Sequence, residues 1–117
     1  MNRISRLEGL SGLVNLEKLI IFGNEIEQVE GLDFLAKLKE LNISRNRISN
    51  SIHRLAIVPS LTATLVSLNA SHNQIPVTEL ENIAFMVSSL KALKSLDLYG
   101  NAIVTSQTYK YRVSAAH

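Results

Sequence analysis

The feature that most constrains the fold is a segment that recurs: LEKLIIFGNEI (Leu16 to Ile26), LKELNISRNRI (Leu38 to Ile48), LVSLNASHNQI (Leu65 to Ile75) and LKSLDLYGNAI (Leu93 to Ile103), with a clipped NRI at Asn2 to Ile4. The shared pattern is L-x-x-L-x-L-x-x-N-x-I. Its asparagines, at 2, 24, 46, 73 and 101, are spaced 22, 22, 27 and 28 residues apart, so two regular units precede two that carry insertions. The middle of each copy alternates x-L-x-L-x, the period of a short strand with one face turned to a core. One unit cannot bury its own leucines, but stacked neighbours can. The expected fold is therefore an α/β solenoid, with a short parallel sheet on the concave face and 3₁₀ turns and short α-helices on the convex face.

The asparagine after each strand, Asn24, Asn46, Asn73 and Asn101, stands where the chain turns inward and backbone groups lose their strand partners. An amide side chain supplies two donors and an acceptor, so a buried column of them can satisfy those groups in its own repeat and in the next. We expect a structural ladder there, because surface turn asparagines would not track the leucines so closely.

The backs of the repeats differ. In the first two units apolar residues fall at every third position (Ile4, Leu7, Leu10, Leu13, Leu16, Leu19, then Ile26, Val29, Leu32, Leu35, Leu38, Leu41), which suits 3₁₀-like turns better than an α-helix. Gly9, Gly12 and Gly31 would fit cramped backs of this kind. In the third unit Ser49-Asn50-Ser51 offers caps for a short helix carrying Ile52, Leu55 and Ala56, with Pro59 ending it. In the fourth, Thr78 to Glu81 reads as a capping box before an α-helix over residues 79–91.

The 117 residues make one domain of about four repeats, incomplete at its start and with a partial C-terminal cap over 104–117. The chain starts midway through a repeat, and Tyr109, Tyr111 and Val113 begin a cap that then stops, as in a piece of a longer protein or a chain completed by a partner. The strand at Lys18 to Phe22 is then an exposed edge able to template pairing. Met1 to Leu10, Ile20 and Ile21 would mediate that contact, giving a homodimer if two such ends met.

Lys and Arg number 12 and Asp and Glu 10, interspersed, so no strong field draws the chain to nucleic acid or to an anionic membrane. The absence of cysteine argues for a reducing compartment and hence the cytoplasm. No spacing suggests a metal site, and no phosphate-cradling loop suggests a cofactor. The histidines, His53, His72 and His117, are scattered, and Asp97 has no second carboxylate at the equivalent positions, so no catalytic set assembles. The triplets Asn42-Ile-Ser44 and Asn69-Ala-Ser71 have the form of glycosylation acceptors, but they fall on expected strands.

What the chain offers is a surface. Outward positions line up across the sheet as columns: Lys18, Glu40, Ser67, Ser95; Ile20, Asn42, Asn69, Asp97; Phe22, Ser44, Ser71, Tyr99; and, at the strand exits, Gly23, Arg45, His72, Gly100. Aromatic residues on an exposed strand face have no core to join, and aromatic and Arg side chains are favoured interface anchors. The expected partner-binding residues are Lys18, Ile20, Phe22, Glu40, Asn42, Arg45, Asn69, His72, Asp97 and Tyr99.

These repeats resemble the leucine-rich repeat family of the 22-residue type, which includes phosphatase-1 regulatory subunits and the axonemal dynein light chain. LYGNAIVTSQTYKYRV is similar to that family's cap motif, with Gly100 and Asn101 followed by Tyr111 and Arg112. The chain departs from the family in Ala102, where the cap usually has proline, in Ala70, which replaces a strand leucine, and in lacking the closing strand. The resemblance implies a protein partner bound on the concave face without catalysis. It points to a cytoskeletal or ciliary scaffold, or alternatively to a regulatory subunit of protein phosphatase 1.

Overall fold

The computed structural model describes residues 5–105. Four three-residue strands, β1 (Lys18–Ile20), β2 (Glu40–Asn42), β3 (Ser67–Asn69) and β4 (Ser95–Asp97), form one parallel sheet in sequence order. The register is the one the repeat dictates: Leu19, Leu41, Leu68 and Leu96 are aligned, as are Ile20, Asn42, Asn69 and Asp97. Strand-like bonding continues past each strand. The Ile21 and Gly23 N–H groups donate to Asn42 and Ser44 carbonyls, Ile43 and Arg45 to Asn69 and Ser71, and Ala70 and His72 to Asp97 and Tyr99.

Inward side chains from successive repeats make one continuous core. Leu38, Leu41, Ile43, Leu65 and Leu68 in the middle units are essentially inaccessible, whereas Leu16, Leu19 and Leu96 in the outer units are only partly buried. A solenoid repeat is covered by its neighbours, so burial falls toward the ends of the described stack.

The asparagine column is built as donors and acceptors facing two repeats at once. Asn46 donates through Nδ2 to the Ile21, Ile43 and Ser44 carbonyls and accepts the Ile26 N–H at Oδ1. Asn73 donates to Ile43, Ala70 and Ser71 and accepts from Ile48, while Asn101 donates to Ala70 and Leu98 and accepts from both Asn73 and Ile75. Asn24 donates to the Phe22 carbonyl. Each of these asparagines is buried.

On the convex side the period of three becomes a chain of separate turns, with Leu13 bonded to Leu10, Leu16 to Leu13, Leu35 to Leu32 and Leu38 to Leu35. The turns return Leu32, Leu35 and Leu38 to the core and Leu10 and Leu16 to its edge without a continuous helix, whereas Leu13, expected on the same apolar face, is exposed. Gly31, at φ +74°, sits against the preceding repeat so closely that a Cβ there would lie 2.7 Å from the Leu7 carbonyl oxygen. Gly9 and Gly12 have open space around them, so crowding does not account for those two.

The long repeats differ from the sequence expectation in three ways. Residues Ile52–Ile57 form a 3₁₀ segment in which Ser51 makes no side-chain cap. Ser51 instead donates to the Glu27 carbonyl at 2.9 Å and accepts the Val29 N–H at 3.1 Å, because the preceding repeat's turn leaves those groups unpaired. Pro59 does not merely end that segment; it opens a second helix, α1 (Pro59–Thr64), where its missing N–H costs nothing and Val58 before it is extended. Finally, Val77–Glu79 form a 3₁₀ turn that absorbs the expected capping box, so α2 runs over Leu80–Ser89 with no side-chain cap. Its end comes early because Leu90 turns into the core.

A 3₁₀ turn at Ala102–Thr105 closes the described chain. The ladder positions Asn2 and Ile4, the cap residues Tyr109, Tyr111, Arg112 and Val113, and the first four residues of the Met1 to Leu10 contact expected for a homodimer lie outside the described residues. None of the described helices is long and apolar enough to cross a membrane.

Candidate functional site

Because the strand period alternates faces, the register brings Lys18, Glu40, Ser67 and Ser95 into one column and Ile20, Asn42, Asn69 and Asp97 into the next. Lys18 and Glu40 pair with each other at 3.2 Å, both largely exposed. Phe22 and Tyr99, at the two ends of the following column, are 57% and 70% exposed, and Ile20 beside Phe22 is 53% exposed. Between these aromatics stand Ser44 and Ser71, both buried.

Those serines explain the two Asn-x-Ser triplets. In each, the asparagine Oδ1 accepts both the serine N–H at 3.0 Å and the serine hydroxyl at 2.7 Å. Asp97 makes the equivalent bond to the Tyr99 N–H at 3.0 Å. The triplets are thus strand-end turns that shape the sheet. They also fix which way the amides of Asn42 and Asn69 face, since reversing one would set its Nδ2 hydrogens against the serine N–H, which can only donate.

The strand-exit column has a property that the alignment alone does not state. All four of its members, Gly23, Arg45, His72 and Gly100, have positive φ, at 72°, 56°, 54° and 79°. A left-handed conformation costs an L-residue with a Cβ about 1 to 2 kcal/mol relative to the right-handed one, and glycine nothing comparable. The first and last repeats use glycine; the middle two carry side chains at the strained position. The His72 ring meets Tyr99 edge-on, with centroids 5.6 Å apart. It lies over Gly100 so closely that a Cβ there would come within 2.4 Å of Nδ1.

Exposure alone does not single out this face. Phe34 in the second turn-built back and Phe85 on α2 are 59% and 58% exposed, and neither stands out in the sequence because both interrupt otherwise regular apolar spacing. A convex cleft of about 250 Å³, lined by Val29, Leu32, Arg54, Leu55, Ile57 and Val58 among others, lies where the turn-built second back meets the helical third. It arises from the mismatch between those two backs, which no sequence period marks. His53 does not join the concave face: its Nδ1 is 3.6 Å from the buried Glu79 carboxylate, which also accepts from Asn82. Among the described residues no cluster of three or more His, Cys, Asp or Glu side chains could hold a metal ion.

Comparison with known proteins bears on the repeat. The Leucine Rich repeat family profile matches residues 34–52. No curated protein matches the chain. Among solved structures, an internalin from Listeria monocytogenes aligns over 97% of this chain at 32% identity with a TM-score of 0.75, and the chain spans 30% of that protein's length. A chain from the Drosophila melanogaster SNF/U2A′ complex aligns over 97% at 21% identity with a TM-score of 0.79, the chain spanning 63% of it, a likeness of fold. With the repeated L-x-x-L-x-L-x-x-N-x-I segment, the parallel sheet, the asparagine ladder and these likenesses together, the chain has the α/β leucine-rich-repeat solenoid fold.

Proposed function

We propose that the chain is a protein-interaction module that binds its partner on the concave face of the sheet. The observation that carries the proposal is the pair of exposed aromatics, Phe22 and Tyr99, at the two ends of one column with polar side chains between them. Large aromatic anchors flanking a polar centre suit association, where burying them contributes more than it does in the free fold. That a chain of similar fold occurs in the SNF/U2A′ complex supports an assembly role. The resemblance to the 22-residue subclass makes a cytoplasmic scaffold of the cytoskeleton or cilium the first setting to test, and a phosphatase-1 regulatory subunit the second.

The test begins with affinity purification from lysate using the wild-type chain and a Phe22→Ala, Tyr99→Ala double variant. Tubulin-associated or axonemal proteins without phosphatase would support the scaffold; the phosphatase 1 catalytic subunit would support the regulator. With the purified partner, calorimetry should show binding weakened by about 2 kcal/mol or more in the double variant, with its thermal melt near that of wild type. Unchanged affinity would place the partner on another face.

A further inference from the structure

We propose that Arg45, His72 and the amides of Asn42 and Asn69 form a recognition site for an acidic side chain of a partner protein. The proposal rests on the concave-face reading and specifies the chemistry of what binds there.

The first support is backbone strain kept where it is avoidable. Gly23 and Gly100 show that the strand-exit turn is satisfied by glycine, yet the two middle repeats hold Arg45 and His72 in the same left-handed conformation. A strained residue in place of a strain-free one points to a use for the side chain. Arg45 is exposed and, among the described residues, has no ion pair, whereas Lys18 pairs with Glu40, Lys39 with Glu17 and Arg47 with Glu25.

The second support is the orientation of the amides. The Oδ1 atoms of Asn42 and Asn69 are each taken up by two donors from the serine two residues on. Their Nδ2 groups are therefore presented as donors, and among the described residues they have no protein acceptor. Repeats two and three thus offer a guanidinium, two amide donors and an imidazole on adjacent strands about 4.8 Å apart. Charge complementarity selects a carboxylate, which can accept from a guanidinium and a neighbouring amide together.

Asp97 sets the limit of the site. It occupies the next place in the asparagine column, so the partner's acid is kept over the second and third repeats and away from the fourth. The ligand is thus an extended or helical protein segment carrying Asp or Glu at that point.

Random dodecapeptides displayed on phage and selected on the intact chain provide the probe. Resynthesised binders should carry Asp or Glu, weaken as salt rises, and lose at least tenfold in affinity to Arg45→Gly. That variant should melt at or above the wild-type temperature, because glycine relieves the strain; this separates loss of binding from loss of fold. Binders that depend on Phe22 and Tyr99 but lack an acidic residue, or that ignore Arg45→Gly, would overturn the acidic-site proposal and leave the concave-face reading standing. Binders indifferent to Phe22, Tyr99 and Arg45 alike would overturn both. A selection yielding no Arg45-dependent peptide overturns the acidic site.

Discussion

The first two repeats and the last two share a strand length and a register but are finished differently. Asn24 and Asn46 are 22 residues apart and the backs around them are single turns, whereas spacings of 27 and 28 bring in the Ile52–Ile57 segment, α1 and α2. Neighbouring strands β1 and β2 carry charges that pair across the sheet, Lys18 with Glu40 and, just before the strands, Lys39 with Glu17. The equivalents of Lys18 and Glu40 in β3 and β4 are the serines Ser67 and Ser95. Added length is absorbed entirely on the convex side, because the leucines and the ladder asparagine fix where each strand begins and ends. Insertions therefore leave the concave face in step while changing what lies behind it.

The largest expected effects come from the two kinds of back. Leu35 in a turn-built back and Ile83 in α2 are both fully buried, and Leu35→Ala and Ile83→Ala should each cost about 2 to 5 kcal/mol in chemical denaturation. Since a repeat contacts its neighbours only, native-state hydrogen exchange should show Ile83→Ala lowering protection in β3 and β4 more than in β1. Equal loss in all four strands would mean that the two halves unfold as one unit and that the difference in their backs has no energetic consequence.

A smaller effect is expected from the element common to both halves. Asn46→Ala strands the Ile26 N–H and the Ile21, Ile43 and Ser44 carbonyls, and should cost roughly 1 to 3 kcal/mol in a urea melt. A variant as stable as wild type would show that the ladder does not couple the short repeats. The smallest effect belongs to the charged strand pair. Lys18→Ala removes an ion pair whose two side chains are more than half exposed, and should change stability by about 0.5 kcal/mol or less, the little that remains diminishing with salt.

The strand exits show how far the sequence could be read. Gly23 and Gly100 in line with Arg45 and His72 hinted at a left-handed turn, but only the backbone showed that the two copies carrying side chains adopt it as well. The serines of the Asn-x-Ser triplets carried a similar signal, an asparagine two residues before a hydroxyl at a strand end. Ser51 carried none: it has the composition of a helix cap, and only its neighbour's unpaired backbone gave it a different role.

The sequence by itself determined the repeat, the register, the columns of the concave face and the places of the ladder asparagines, because a parallel stack of equal units turns linear spacing directly into lateral alignment. Tertiary structure alone decided what the inserted residues became: a 3₁₀ segment where a capped helix was expected, Pro59 as a helix start, Glu79 buried beside His53, and a cleft between unlike backs. The physical reason is that those residues answer to the unmatched backbone groups and empty space left by an adjacent repeat of different length, and neither is written in the local pattern of either one.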